Sequence, residues 1–270
     1  MSAIDITLTP FGPTHLPGAL ALSQQAGWPH RLEDWRFSLA LSTGVVALDA
    51  GGRVLGTALT TCHDETLATV NMVIVDAAVR GRGLGRQLME AAMAAAGTQR
   101  RRLVATAEGL PLYEKLGFRA TGEIAQHQGV VTALHGAAPA DRPDLDAVAA
   151  MDAAAYGARR PALIAALAAA GRVFTQPGGF AVRRPFGRGE VIGPVVARDA
   201  AIARTLVAAA AAGPAGRFLR VDTPLEQGLG PWLADLGLTQ AGGGIAMQRG
   251  PDTPCTSAFT TFALANQALG

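Results

Sequence analysis

Arg80-Gly-Arg-Gly-Leu-Gly-Arg86 packs alternating glycines between arginines. Glycine lets backbone N–H groups come close to a ligand, and arginine supplies positive charge and planar donors. The apolar, β-branched run Ala68 to Val75 precedes this segment. After it, Leu84, Leu88, Ala91, Ala92 and Ala95 recur at helical spacing. The order strand, Gly/Arg turn, helix puts the turn at a helix N-terminus, where unsatisfied N–H groups and the helix dipole favour an anion. A pyrophosphate is the natural guest.

Spacing narrows the choice of phosphate ligand. A dinucleotide fingerprint starting at Gly81 would need glycine where Arg86 stands, and one starting at Gly83 would need it at Leu88. A P-loop needs Gly-Lys-Ser or Gly-Lys-Thr, and the only lysine is Lys115. What remains, Arg80-x-x-Gly83-x-Gly85, resembles the acyl-CoA pyrophosphate loop of the GNAT N-acetyltransferase superfamily. Leu112-Tyr-Glu-Lys-Leu-Gly-Phe118 is similar to the downstream GNAT segment in which a tyrosine follows the fifth strand and a Gly-Phe pair opens the next. The resemblance implies acetyl-CoA as cosubstrate and no metal. It implies binding by Arg80, Gly81, Arg82, Gly83, Leu84, Gly85 and Arg86, and by the backbone of Val73 and Val75 along the pantetheine. Tyr113 is implied as the acid that protonates the departing thiolate. A phenol with an ordinary pKa near 10 holds its proton at neutral pH and can donate it.

Gly27-Trp28, Asp34-Trp35, Gly56-Thr57 and the Tyr113 block also resemble a bacterial two-domain GNAT group whose second domain is itself GNAT-like. That group carries an Ile-Gly-Pro-Val-Val-Ala segment, read here at Ile192 to Ala197. The resemblance therefore spans nearly the whole chain. The second half has Val196-Ala-Arg-Asp-Ala200 in place of an Arg-x-x-Gly-x-Gly turn, so no acetyl-CoA site is expected there. Ahead of the tyrosine segment, Val104-Ala-Thr-Ala-Glu108 stands where relatives have an Asp-Ala-Thr-Pro-like run.

Trp28, Glu33, Asp34 and Trp35 lie in the region that often walls a GNAT acceptor site, and rings with carboxylates suit a cationic amine. Trp28, Glu33, Trp35 and Glu108 are the candidate acceptor residues. For Trp35 the other reading is core packing, and for Glu33 and Asp34 a helix start favoured by the dipole. His63, Asp64, Glu65, Glu108 and a water chain are the alternatives for the base. The activity implied is direct transfer of acetyl from acetyl-CoA to a primary amine of a small or amino-acid-like acceptor. A non-catalytic acyl-CoA-binding or regulatory protein is the second reading.

These residues need scaffolding, and the pattern supplies it twice. Each half reads as two helices, antiparallel strands, a strand-turn-helix, then strand, helix, strand. A Gly, Ala and Pro-rich linker at 135 to 143 separates them. The expected fold is α/β with α+β mixed sheets, in two tandem GNAT-like domains. Each is a central mixed, mostly antiparallel sheet flanked by helices. The catalytic domain is placed at 1–135 and the second at 141–270. A helix is expected over 225–236 and a short last strand at 245–247.

The 270 residues are 49% hydrophobic and 16% charged, which suits compact packing. With 23 basic and 21 acidic residues, and 11 of each in the first half, no nucleic-acid footprint is present. Cys62 and Cys255 lack disulfide or metal-ligand spacing. Apolar stretches are too short to cross a bilayer, and MSAIDITLTP has no secretory pattern. The expectation is a cytoplasmic protein without membrane partners, either a pseudo-dimeric monomer or a homodimer.

Overall fold

The computed structural model describes residues 5–97, 100–131, 142–252 and 257–270, so most of the linker and Cys255 lie outside the described residues. The chain divides into two compact units, Met1–Arg102 and Leu103–Gly270.

In the first unit, β1 (Ile6–Pro10) is followed by α1 (Leu16–Gln25) and α2 (Leu32–Ala40). Then come β2 (Thr43–Asp49), β3 (Val54–Cys62), β4 (Leu67–Val75), α3 (Leu84–Ala95) and the start of β5 (Arg100–Ala105). Strands β1 to β4 pair antiparallel in chain order. β5 then joins β4 in parallel. Helix α3 buries Leu84, Leu88, Met89, Ala92 and Met93. Of the face expected from the sequence, Leu84, Leu88 and Ala92 are buried, but Ala91 is half-buried and Ala95 exposed, because the buried stripe turns toward the longer Met89 and Met93. Each large apolar side chain taken from water there contributes about 1.5–3 kcal/mol. Gly56 allows the helix to come this close, because a Cβ there would sit 2.7 Å from Leu88 Cδ1.

The second unit holds α4 (Leu110–Lys115), β6 (Arg119–Val130), α5 (Leu145–Tyr156), α6 (Pro161–Ala170) and β7 (Arg172–Gln176). β8 (Gly179–Phe186), β9 (Gly189–Ala197), α7 (Ala200–Ala211) and β10 (Phe218–Pro224) follow. The chain finishes with α8 (Gly230–Asp235), β11 (Thr239–Arg249) and β12 (Thr260–Ala263). Strand order is β11-β6-β10-β9-β8-β7, with β12 on β9. Leu206 and Val207 of α7, Leu219 and Val221 of β10 and Leu233 of α8 form part of one buried apolar cluster.

Three elements differ from the sequence reading. The helix expected over 225–236 starts only at Gly230. Leu225–Gln227 make a 3-10 turn, and Gly228 takes a left-handed φ of +66° that ends it. The last strand expected at 245–247 runs over eleven residues, because Gly242, Gly243 and Gly244 join it despite their low strand propensity. At Gly243 a Cβ would fall onto the Ile124 carbonyl, so close approach to β6 explains a glycine there. The third is β12, which the sequence reading did not place although Phe259 to Phe262 is an aromatic, β-branched run. Strand β6, which closes the first repeat in sequence order, pairs with β10 on one side and β11 on the other.

Candidate active site

The site begins where β4 and β5 part. Their parallel pairing covers only Leu67 to Thr69 against Arg100 to Arg102. Further along β4 the register against β3 slips, so that Ala58 alone faces Met72 and Val73. This is a β-bulge, with Met72 at φ +50°. The fully buried Thr57 hydroxyl donates to the Met72 carbonyl at 2.7 Å and fixes the bulge. Past it, Val73 and Val75 are half-buried while Ile74 between them is buried. These are the two residues whose backbone the family resemblance implies along the pantetheine.

From Val75 the chain enters the Gly/Arg turn. Asp76 is buried, and its carboxylate accepts from Ala78 N at 2.9 Å, from Arg53 at 3.2 Å and from Gln25 at 3.4 Å. Gln25 in turn accepts from Ala77 N at 3.0 Å. These contacts fix the 3-10 turn Ala77–Val79 that aims the loop. Sequence reasoning missed Asp76 and Gln25. The signal available was an acid directly after the β4 run, at the cap position of a turn.

Gly81 and Gly83 take φ of +76° and +81°, and a Cβ at either would meet nothing within 4 Å. Gly83 is the N-cap of α3 and has no side chain to cap it. Open backbone, an uncapped helix N-terminus and the exposed Arg80, Arg82 and Arg86 make a cradle for an anion. Two of the arginines have local partners. Arg80 Nε donates to the Val75 carbonyl at 3.1 Å, and Arg86 pairs with Glu90 at 2.8 Å on the exposed face of α3.

Around α1 and α2, aromatic rings form a row. Trp28 meets His30 edge-on at 5.6 Å, His30 meets Trp35 at 6.3 Å, and Trp35 stacks on Phe11 at 5.9 Å. Trp35 is fully enclosed, and its indole N–H donates to Ser23 Oγ at 2.9 Å. Of its two readings it therefore takes the packing one and shows no surface to an acceptor. Trp28 and His30 are half-buried and have faces left to offer. Glu33 is exposed near Arg36, and Asp34 is buried against Arg31, its carboxylate accepting from the Arg31 N–H and guanidinium.

The base alternatives on the β3–β4 turn separate. Asp64 accepts from Thr66 N, Thr66 Oγ1 and Leu67 N, which makes it a turn builder. His63 Nε2 bonds Thr69 Oγ1 at 2.7 Å. Both precede β4 in the turn, and Thr69, which His63 bonds, lies three residues or about 10 Å of strand before the bulge.

Two stretches, residues 41–120 and 148–262, match the family described as Acetyltransferase (GNAT) domain. The uncharacterized N-acetyltransferase YitH of Bacillus subtilis is 30% identical over 232 residues, covering 78% of this chain and 80% of that protein. This chain belongs to the GNAT superfamily of N-acetyltransferases. Among solved structures, a proposed acetyltransferase of Pyrococcus horikoshii superposes with a TM-score of 0.83 at 17% identity, over 100% of this chain and 98% of that one. A GCN5-related N-acetyltransferase of Sphaerobacter thermophilus gives 0.61 at 18% identity, over 93% and 98%. At those identities the likeness concerns the fold, and both span the tandem arrangement.

This GNAT acetyltransferase thus carries two GNAT-type domains in one chain. Tyr113 and Glu108 belong to the second compact unit, while the loop and the aromatic row belong to the first. Tyr113, on α4, is almost fully buried, its ring edge-on to Phe118 at 6.2 Å. Gly109 leaves room for it, since a Cβ there would lie 2.7 Å from the ring. Burial pushes the Tyr113 phenol up to about 12, so the group holds its proton throughout the physiological range. Glu108 is exposed in the turn after β5. Among the described residues no cluster of three or more His, Cys, Asp or Glu is placed to hold a metal, and no helix is long and apolar enough to cross a membrane.

Proposed function

We propose that the chain transfers acetyl directly from acetyl-CoA to a primary amine of a small or amino-acid-like acceptor, with the first repeat (1–135) as the catalytic domain. The observation that carries the reading is the N-terminus of α3, left uncapped by Gly83. It follows the half of β4 that β5 no longer pairs. The pyrophosphate takes the N–H groups and arginines of residues 80–86. The pantetheine runs along Val73 and Val75, and a backbone donor at the bulge polarises the thioester carbonyl. The amine gives its ammonium proton to water and attacks that carbonyl, the C–S bond breaks, and Tyr113 gives its proton to the departing thiolate. The N–H proton shed as the amide forms leaves through water and restores the phenol. Trp28 and His30, with Glu33 at the rim, form the acceptor side. Rings and a carboxylate there favour a protonated amine on approach.

Calorimetric titration with acetyl-CoA, followed by thiol release across a panel of small amines and amino acids, tests the reading. One binding site with turnover on an amine supports it. Absence of acetyl-CoA binding would sink it, because every step begins in that cradle.

A further inference from the structure

The second unit repeats the split of the first and fills it. β9 and β10 pair in parallel only at Glu190 and Val191 against Leu219 and Arg220. Just past that point Val182 of β8 alone faces Gly193 and Pro194 of β9. This is the arrangement of β4, with the partner strand leaving just before a two-for-one bulge. In the first unit, among the described residues, no further strand pairs with β4 beyond the split. In the second unit β12 does so for β9. Thr260, Thr261 and Ala263 register on Ala197, Val196 and Val195.

The same segment bonds β10 on its other side. Thr223 Oγ1 donates to the Phe262 carbonyl at 2.8 Å, and Leu264 N donates to the Asp222 carbonyl at 2.8 Å. A Cβ on Gly193 would fall onto the Leu264 carbonyl, so Gly193 is small where the segment passes. Beyond the slot the segment is clamped. Arg160 donates to the Leu269 and Gly270 carbonyls at 3.1 and 2.9 Å, held by a fully buried ion pair to Asp152 at 2.7 Å.

The helix after the slot has also lost the anion cradle. Two residues, Arg198 and Asp199, join β9 to α7, whereas eight join β4 to α3. Where Gly83 leaves α3 uncapped, the Asp199 carboxylate caps α7 by accepting from Ile202 N at 2.9 Å. A negative charge at that position repels a pyrophosphate and takes the donor it would use.

We infer that the split between β9 and β10 is a strand-binding slot whose ligand is the chain's own C-terminal segment, residues 257–270. The slot takes an extended peptide by strand addition, and no acyl-CoA. Main-chain hydrogen bonds on both edges supply the affinity, and the segment removes two unpaired strand edges that would otherwise invite association.

The test uses the full chain with a protease site built into residues 253–256 and cut after purification. The 257–270 peptide is expected to co-elute with the remainder on gel filtration. Thr223→Val, which removes one buried hydrogen bond without changing shape, should speed its exchange against a labelled synthetic 257–270 peptide by about tenfold. Loss of the peptide from a remainder that stays folded by circular dichroism overturns the inference. If cutting unfolds the chain, hydrogen exchange on the uncut protein decides. A Leu264 amide, which bonds Asp222 of β10, protected like the Val195 and Val196 amides supports the slot, and exchange at the rate of open amides overturns it. A second equivalent of acetyl-CoA bound per chain, cut or uncut, also overturns it. None of the peptide readouts needs acetyl-CoA to bind the first unit, so failure of the proposed activity leaves this inference standing.

Discussion

The Thr57 hydroxyl donates to the Met72 carbonyl at 2.7 Å, and Met72 is the one non-glycine residue with positive φ among the described residues. A side chain on β3 thus holds an uncommon backbone conformation on β4 at the position where the thioester carbonyl is proposed to lie. Thr57→Val keeps the shape and leaves the buried Met72 carbonyl unsatisfied. The expected cost is about 1–3 kcal/mol in denaturant unfolding. A tenfold or greater drop in kcat on whichever amine turns over should accompany it, with acetyl-CoA affinity less affected. Thr57→Ser should restore most of both, and a Ser variant as impaired as Val would remove the hydroxyl from the account.

The cradle gives a test that separates charge from sterics. Gly83→Asn and Gly83→Asp each put a short polar side chain at a left-handed position that these residues tolerate better than most. Asp also puts at this position the negative charge that Asp199 carries before α7 in the second repeat. Isothermal titration should show acetyl-CoA bound at least tenfold more weakly by the Asp variant than by the Asn variant. Equal affinities would show that no anion sits at this terminus.

Asp76 is predicted to act through the loop it shapes. Asp76→Ala removes the cap on Ala78 N and the anchor of Arg53 and Gln25. The KM for acetyl-CoA should rise severalfold while the KM for the amine changes little. An equal rise in both would mean general damage to the fold, which a melting curve on the same sample would register.

Tyr113→Phe should lower kcat by about 10²-fold with acetyl-CoA binding retained. With its phenol pushed up to about 12, Tyr113 should add no alkaline fall in kcat below pH 10. Stability carries the same signature. Below the unfolded value near 10 both states keep the proton. From there to about 12 only the unfolded chain ionises, so stability falls as pH rises through that window, by roughly 2–3 kcal/mol in total. Chemical denaturation of wild type and Tyr113→Phe at pH 9 and pH 11.5 measures it. Parallel losses in both proteins would assign the fall to other groups.

Much of the local structure was legible because its causes are local. Leu84, Leu88 and Ala92 fall on one face of α3 whatever surrounds them, and Arg80 to Arg86 declare a turn before a helix. Trp35 and Asp34 were legible as chemistry and ambiguous as roles. An indole beside a carboxylate can line a pocket or fill a core, and only the contacts with Phe11, Ser23 and Arg31 decide between them. Asp76 was overlooked because its work depends on Arg53 and Gln25, which are distant in sequence.

By itself the amino-acid sequence determined the repeated order of elements, the Gly/Arg turn of residues 80–86 ahead of a helix, and the family. Those follow from side-chain period, backbone freedom at glycine and charge, all properties of short segments. Tertiary structure alone decided that β6 pairs with β10 and β11, that Thr57 holds the bulge at Met72, and that residues 260–263 lie along β9. Pairing between strands far apart in the chain depends on which edges are left open once the rest has folded. A strand carries no local mark of the partner it will find.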